Sequence, residues 1–212
     1  MDISEIVPDV QDRMFVTGMT ESGKTTLILR IIYALEEEGD NLIVIIDSDH
    51  MWEYQKRTKL KYKPHIPIEV KNAGQLVNET SGTFIYRAKY PALYDKQVKL
   101  ILEWAMTRTN VTIVIDEISD FAKNNLILEI LGRVIKQGRK LNVRLIMGTQ
   151  RPATIPVICI TESKVFAVFQ LSRKEDRERM ASDVNPDFAV MMTGHDFMIF
   201  KRKWKEPIVI RQ

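Results

Sequence analysis

Apolar and polar positions follow two distinct patterns along this chain. Some apolar residues form short, nearly continuous runs, and the clearest of these are 14–16, 42–46, 111–115, 143–148 and 165–169. Others recur three and four positions apart, as on one face of an α-helix, in the stretches 26–38, 93–109 and 124–137. Continuous apolar runs are typical of strands that are covered on both faces of a parallel sheet. The pattern therefore predicts an α/β fold in which helices cover both faces of a mainly parallel central sheet.

Weaker patterns predict shorter elements. These are short strands at 66–70 and 83–86, a helical turn at 72–77 and a charged helix at 173–181. The apolar runs 197–200 and 208–210 flank a basic turn, which favours an antiparallel hairpin at the edge of the sheet. The sequence has no internal repeat, and its 212 residues are sufficient for one large core. We expect a single domain over 1–212 that ends in a basic hairpin at about 196–212.

The segment between the first strand and the first helix is Gly-Met-Thr-Glu-Ser-Gly-Lys-Thr, residues 18–25. The pattern G-x-x-x-x-G-K-[ST] between a strand and a helix predicts a phosphate-binding P-loop. Successive backbone N–H groups form an anion-binding concavity, and the helix directs the positive end of its dipole at the same point. Lys24 is expected to reach the β- and γ-phosphates, and the Thr25 hydroxyl is expected to bind Mg²⁺. The expected nucleotide contacts are Gly18, Met19, Thr20, Glu21, Ser22, Gly23, Lys24, Thr25 and Thr26.

Three of these loop positions carry particular expectations. Gly18 and Gly23 permit backbone torsions and a close approach that a Cβ atom would obstruct. Glu21 is unusual, because a carboxylate inside an anion cradle would repel a triphosphate. We therefore expect the Glu21 side chain to point away from the phosphates.

A second set of polar residues follows the apolar run 111–115. Asp116 and Glu117 stand at its carboxyl end, which is the Walker B pattern downstream of a P-loop. Asp116 is expected to accept hydrogen bonds from Mg²⁺-bound water. Glu117 is expected to act as a general base that polarises the water attacking the γ-phosphate. The cofactors that the two motifs predict are ATP and Mg²⁺.

A third polar set, Thr149-Gln150-Arg151-Pro152, ends the run 143–148. A glutamine amide at the carboxyl end of a strand beside the P-loop strand can hydrogen-bond the γ-phosphate or its attacking water. Gln150 would then distinguish ATP from ADP. The alternative is a glutamine that serves only in a turn before proline.

Composition and charge narrow the class of protein further. The chain is 45% apolar and 28% charged, as in ordinary globular proteins, and it has no apolar run long enough to span a membrane. Its acidic N-terminus lacks the pattern of a signal peptide. Cys159 is the only cysteine, which excludes an intramolecular disulfide and fits a reducing compartment. We expect a protein that is neither secreted nor transmembrane.

Charged clusters leave two interpretations open. The net charge of +3 is too small to demonstrate a nucleic-acid partner, but cations cluster at 56–63 and 201–205, with Tyr62 and Trp204 among them. Each cluster either contacts DNA phosphates with release of counterions or is a solvated charged surface, which in an edge hairpin also opposes aggregation. The acids after the run 42–46 likewise either lie near Mg²⁺-bound water or cap the next turn.

The motifs in combination resemble a known superfamily. A P-loop, an Asp-Glu Walker B pair and Gly-Arg-Lys at 138–140 before a strand ending in Thr-Gln-Arg-Pro resemble the FtsK/HerA superfamily of DNA-pumping ATPases. The compact size is similar to the genome-packaging ATPases of tailless icosahedral viruses with internal membranes, notably the turreted archaeal ones. The resemblance extends over about 14–169, and at the Glu21 position it departs from the family, which commonly has glycine there.

The resemblance has specific implications for the fold and the site. It implies a RecA-like (ASCE) P-loop NTPase core in which the Thr-Gln strand lies between the P-loop and Walker B strands. It implies that Gln150 senses the γ-phosphate and that an arginine just upstream of its strand acts as a finger on a neighbour's nucleotide. Arg139 matches that place best, with Arg144 and Arg133 as alternatives.

The resemblance also implies a function and partners. It implies a ring, usually hexameric, with ATP between subunits, that translocates double-stranded DNA and packages a viral genome into a preformed capsid. Capsid or vertex proteins are further possible partners, without direct membrane insertion, and the expected location is the host cytoplasm or the virion. Two other functions remain open: a P-loop nucleotide kinase, and a nucleotide-switched structural protein of a virion vertex. A kinase has no need of a water-activating Glu117 or a γ-phosphate-sensing Gln150.

Overall fold

The computed structural model describes residues 3–39, 42–48, 65–87, 91–121 and 124–211. Within these ranges the chain forms nine strands and five α-helices. The strands are β1 Arg13–Thr17, β2 Leu42–Ile46, β3 Ile68–Val70, β4 Gly82–Tyr86, β5 Val111–Ile115, β6 Arg144–Thr149, β7 Val165–Val168, β8 Phe197–Lys201 and β9 Ile208–Ile210. The helices are α1 Lys24–Glu37, α2 Pro91–Ala105, α3 Asn125–Gln137, α4 Val157–Thr161 and α5 Lys174–Asp183.

All nine strands belong to one sheet, in the order β3-β4-β2-β5-β6-β1-β7-β8-β9. The first seven strands in this order are parallel, and β8 and β9 continue the sheet as an antiparallel hairpin. Strand β6 lies between β1 and β5, with Phe15 opposite Met147 and Ile113 opposite Leu145. The predicted α/β architecture is confirmed, and so is the strand order that the family resemblance implies.

The apolar side chains of the strands alternate between two cores. In β2, Val44 belongs to one core and Ile43 to the other. Helix α1 packs on the Ile43 side, whereas α2 and α3 pack on the Val44 side. Since both faces of the central strands are buried, their sequences read as continuous apolar runs.

Some helix ends match the sequence and others differ from it; for example, the helix predicted at 93–109 is Pro91–Ala105 and the one predicted at 173–181 is Lys174–Asp183. Asn124 caps α3, because its side chain accepts hydrogen bonds from the backbone N–H groups of Leu126 and Ile127. Helix α1 begins at Lys24, two residues earlier than its apolar spacing indicates, since the P-loop leads directly into it. The chain after α3 continues through a 3-10 turn, Gly138–Leu141, and the left-handed residue that ends the turn is Asn142, with φ 54°.

The predicted basic hairpin is confirmed at the edge of the sheet, but its arginine is not a free cation. Arg202 donates from Nε to the Ser163 carbonyl at 2.8 Å and from Nη2 to the Ile160 carbonyl at 3.3 Å. Its guanidinium also lies 5.1 Å from the centre of the Phe166 ring. Arg202 therefore fastens the hairpin to the end of α4.

Some sequence predictions concern residues outside the described ranges. The basic segment 56–63, Asp49 and His50 fall there. Of the acids after β2, Asp47 is described, and its buried carboxylate pairs with Arg87 Nε at 2.9 Å. In the described part of the chain, no helix is both long and apolar enough to cross a bilayer.

The parallel topology separates the two edges of the sheet chemically. We call the edge where β1, β5 and β6 end the carboxyl edge, and the edge where they begin the amino edge. The P-loop, Asp116-Glu117 and Gln150 directly follow these three strands, so all of them lie at the carboxyl edge. Ligand sites of open parallel sheets lie at this edge.

Candidate active site

The loop between β1 and α1 is anchored to both neighbouring strands. Gly18 donates its N–H to the Thr149 carbonyl at 3.3 Å, at the end of β6. Met19 donates to the Gln170 carbonyl at 2.8 Å, just after β7. The loop therefore leaves the sheet at a defined angle, and α1 presents its N-terminus to the same space. This is the strand–loop–helix arrangement that binds phosphates with backbone N–H groups.

The two loop glycines are required by the packing of Phe169 beneath the loop. A Cβ atom added to Gly18 would lie 2.5 Å from the Phe169 Cβ and 2.6 Å from the Ser22 Oγ. Gly23 has a φ of 105°, and a Cβ added there would lie 3.1 Å from Phe169 Cε1. Both positions need glycine for steric reasons, as the motif predicts.

Glu21 occupies the third special position of the loop. Its φ is 62°, in the left-handed region of backbone torsions that residues other than glycine rarely adopt. The residue is exposed to solvent. A glycine, which the superfamily that the sequence resembles commonly has here, would adopt this torsion without strain.

The Glu117 carboxylate is held in one orientation by three hydrogen bonds. One oxygen, Oε1, accepts from the Ser119 hydroxyl at 2.6 Å and from the Ser119 N–H at 3.2 Å. The other, Oε2, accepts from the Gln150 N–H at 2.9 Å. Only 5% of Glu117 is exposed. A buried carboxylate with a fixed orientation is what a general base for one attacking water requires.

Gln150 connects this carboxylate to the P-loop. Its backbone N–H binds Glu117, and its side-chain Oε1 accepts a hydrogen bond from the Thr20 hydroxyl at 2.8 Å. The sequence suggests each of these residues separately from its own motif. The structure brings all three into one hydrogen-bonded group at the carboxyl edge.

Lys24, Thr25 and Asp116 are the other predicted site residues at the carboxyl edge. Lys24 is the first residue of α1 and is only 8% exposed, and Thr25 follows it in a half-buried position. Asp116 is 5% exposed, and its N–H bonds to the Ile46 carbonyl at 3.3 Å. One hydroxyl and one carboxylate are the oxygen donors that suit Mg²⁺, which takes few protein ligands and keeps phosphate and water oxygens for the rest.

Arg139 lies at the amino edge of the sheet, across the molecule from its own P-loop. Its Nη2 donates to the Glu162 carbonyl at 3.1 Å and lies 3.2 Å from Glu162 Oε2. Burial, and then the nearby Arg139 charge, lower the pKa of the adjacent Arg13 to about 10. Arg139 precedes strand β6 and Gln150 follows it, so the two residues lie at opposite ends of this strand.

The two alternatives to Arg139 differ in accessibility. Arg144 is buried, and its Nη1 donates to the Thr112 hydroxyl at 3.1 Å. Burial lowers the pKa of Arg144. Arg133 is exposed on α3. An arginine that acts on another subunit must reach the surface, which disfavours Arg144.

Four residues near the site have no recognised signal in the sequence: Ser119, Phe169, Asp176 and His195. Ser119 orients Glu117 from two positions away, a spacing that the Walker B pattern does not include. His195 precedes β8, and its Nδ1 would lie 3.7 Å from a Cβ atom added to Gly23. Asp176 binds the residue after Gln150 from α5. These contacts depend on tertiary packing, so local sequence pattern does not reveal them.

Comparison with known proteins gives a curated relative of this chain. No family model matches the chain. The DNA packaging ATPase P9 of Enterobacteria phage PRD1 is 24% identical over 196 residues, which cover 88% of this chain and 76% of the relative. The chain is a homologue of this viral packaging ATPase.

Solved structures similar to this packaging-ATPase homologue share its fold. The genome packaging NTPase B204 of Sulfolobus turreted icosahedral virus 2, in complex with AMPPCP, superposes with a TM-score of 0.72 at 15% identity, over 96% of this chain and 99% of B204. The pCW3 conjugation coupling protein TcpA with ATPγS gives a TM-score of 0.61 at 13% identity, over 94% of this chain and 59% of TcpA. The homologue therefore has the P-loop ATPase fold.

Proposed function

We propose that this protein is an ATPase that drives double-stranded DNA into a preformed viral capsid. The observation that carries the proposal is the group formed by Gln150, Glu117 and Thr20, in which a γ-phosphate sensor connects the general base to the P-loop. Homology to a viral DNA packaging ATPase supports ATP hydrolysis as the activity. DNA as the transported substrate is inferred from the homology to a DNA packaging ATPase, and its double-stranded form from the resemblance to DNA-pumping ATPases.

The residues at the carboxyl edge suit hydrolysis of ATP by water. The loop amides and Lys24 bind the phosphates, while Thr25 and Asp116 are the residues that would hold Mg²⁺. When bound, this ion neutralises charge that develops on the β- and γ-phosphate oxygens. Glu117 accepts the proton of the attacking water on the carboxylate that Ser119 orients.

A ring of subunits follows from the position of Arg139 in this proposal. Arg139 lies at the amino edge, so it serves the nucleotide of a neighbouring subunit rather than its own. An arginine supplied in trans contributes about 10³–10⁵ in rate in other NTPases. The isolated subunit is therefore expected to be a poor ATPase. In a ring the DNA passes through the central pore, and capsid or vertex proteins bind one face.

The alternatives fit the site less well. A nucleotide kinase transfers the γ-phosphate to an acceptor other than water and must exclude water from the site. The contact between Glu117 and Gln150 instead fixes a base for water beside the phosphate sensor. A vertex protein that only switches with nucleotide does not require an oriented Glu117. Both alternatives predict different kinetics from those of a translocase.

The test is the steady-state ATPase rate with and without long linear double-stranded DNA. We expect DNA to stimulate the wild-type rate and expect Glu117→Gln, which removes the general base, to abolish turnover while retaining ATP. Lys24→Ala is expected to lose ATP binding itself. Turnover that ignores DNA but rises with a small phosphate acceptor would identify a kinase. ATP binding without turnover in any condition would identify a switch.

A further inference from the structure

We propose that Asp176, in α5, is a positioning residue that holds the sensor Gln150 in place through Arg151. The proposal rests on the proposed function, because it concerns the same ATP site. Neither Asp176 nor Arg151 belongs to the P-loop or Walker B motifs. Asp176 lies 25 residues from Arg151 in sequence, in a helix whose pattern predicts only a charged surface.

Both oxygens of the Asp176 carboxylate bind the segment directly after Gln150. Oδ2 accepts from Arg151 Nε at 2.9 Å, and Oδ1 accepts from the Ala153 N–H at 3.0 Å. Asp176 is 2% exposed, whereas the Arg151 side chain is 35% exposed. Hydrogen bonds to a charged acceptor are stronger than neutral ones, and they are strongest when water is excluded.

These bonds fix the loop on the side of Gln150 that Glu117 does not hold. The Gln150 N–H is bound by Glu117, and the Arg151 N–H is bound by the Thr149 hydroxyl at 3.1 Å. Beyond Arg151 the chain makes a 3-10 turn, Pro152–Thr154, whose Ala153 N–H is bound by Asp176. The carboxylates of Walker B and α5 therefore clamp the sensor from either side.

A clamp of this kind acts on the transition state more than on substrate binding. Gln150 must place its amide within hydrogen-bond distance of the γ-phosphate or its water. A displacement of about 1 Å at a catalytic group costs about 10²-fold in rate. The P-loop binds most of the triphosphate, whereas the Asp176 carboxylate binds Arg151 and Ala153, which follow Gln150. Removing the clamp should thus lower kcat by more than it raises the KM for ATP.

The main test is Asp176→Asn, which keeps the size of the side chain and removes its charge. We expect kcat to fall by about 10- to 100-fold, the KM for ATP to rise by much less than that, and the preference for ATPγS over ADP in binding to decline, since Gln150 also contacts the γ-phosphate of the bound substrate. The matched control is Glu178→Gln, which breaks the exposed Lys174–Glu178 pair on the same helix. The control should leave all three quantities unchanged.

Two backgrounds distinguish positioning from a general structural role. In Gln150→Ala protein, Asp176→Asn should have little further effect on kcat, because it acts through Gln150. If Asp176→Asn lowers kcat equally in both backgrounds, or leaves kcat and nucleotide preference unchanged, the proposal is wrong. If Asp176→Asn does not fold, Arg151→Gln removes the same bond from its more exposed side and is read by the same criteria.

The binding readout separates this proposal from the proposed function. If the wild-type protein binds ATPγS but hydrolyses no ATP in any condition, the proposed ATPase function fails. The clamp is then judged by nucleotide preference alone. Loss of the ATPγS-over-ADP preference in Asp176→Asn, but not in Glu178→Gln, supports the clamp, and an unchanged preference contradicts it.

Discussion

At the scale of single residues, Glu21 combines an unfavourable backbone conformation with an unfavourable charge. Its φ of 62° lies in the left-handed region, which is unfavourable for residues other than glycine, asparagine and aspartate, and its carboxylate belongs to the loop expected to bind a triphosphate. We predict that Glu21→Gly raises the free energy of unfolding by about 0.5–1 kcal/mol, since relief of strain exceeds the added entropy of the unfolded chain. ATP affinity should rise about two- to fivefold at low salt, because one exposed like charge is removed.

Glu21→Gln is the matched control, because it removes the charge and keeps the strained torsion. It should reproduce the gain in ATP affinity without the gain in stability, as measured by calorimetric titration and by urea unfolding. The affinity gain should also decline as salt is raised, since screening weakens exposed charges. Weaker ATP binding by Glu21→Gln would mean that the carboxylate assists the nucleotide.

At the scale of elements, the contact between β6 and the start of the Walker B loop determines where the acids lie. A Cβ atom added to Gly148 would overlap the backbone oxygen of Asp116 and approach Ile28 Cδ1 to 3.4 Å. A backbone oxygen cannot rotate away as a side chain can. We predict that Gly148→Ala lowers the free energy of unfolding by about 1–3 kcal/mol. It should also reduce ATPase turnover, because Asp116 and Glu117 are displaced together.

The control for this glycine lies in α3. Among the residues that the structure describes, none outside the backbone of α3 has an atom within 4 Å of a Cβ added to Gly132, so Gly132→Ala is expected to fit and to gain helix propensity. It should raise the free energy of unfolding by about 0.5–1 kcal/mol and leave turnover unchanged. Urea unfolding and the steady-state ATPase rate measure both variants. Equal free energies of unfolding for the two alanine variants would show that the backbone near Gly148 shifts to accommodate a Cβ atom without loss of stability, which would contradict the prediction.

The main elements could be predicted from sequence because burial on both sheet faces leaves a strong signal. Strands β2 and β5 read as unbroken or nearly unbroken apolar runs, and α3 carries both an apolar stripe and the Asn124 cap. The contacts made by polar side chains after the strands could not be predicted. Asp47 pairs with Arg87, the residue after β4. Tertiary packing brings these two residues together, and no periodicity in the sequence indicates such a pair.

The same distinction holds within the active site. The P-loop was predictable because local backbone geometry dictates its glycines, and Gly18 and Gly23 have the close contacts that the motif requires. The proposed clamp on Gln150 was not predictable, since Asp176 binds the neighbouring Arg151 from helix α5, which is distant in sequence. Likewise the basic hairpin was predicted correctly as an element, but the bonding of Arg202 to two carbonyls follows from the position of α4.

At the scale of the whole molecule, strand β6 separates two residues for which we propose different roles in ATP hydrolysis. Gln150 follows it at the carboxyl edge, and Arg139 precedes it at the amino edge, paired with Glu162. Six residues of a strand extend about 20 Å, so Arg139 is too far from its own nucleotide to contact it. This separation requires a second subunit if Arg139 takes part in hydrolysis.

We predict that Arg139→Ala leaves ATP affinity unchanged and lowers turnover by at least about 10³-fold, the smaller effect known for fingers in trans. Arg133→Ala, which removes an exposed arginine from α3, is the control and should retain turnover. Mixing Arg139→Ala subunits with Lys24→Ala subunits should restore part of the rate. The Lys24→Ala subunit then supplies Arg139 to an intact P-loop on its neighbour. Normal turnover by Arg139→Ala alone, or loss of turnover in Arg133→Ala instead, would assign the trans contact to a different residue.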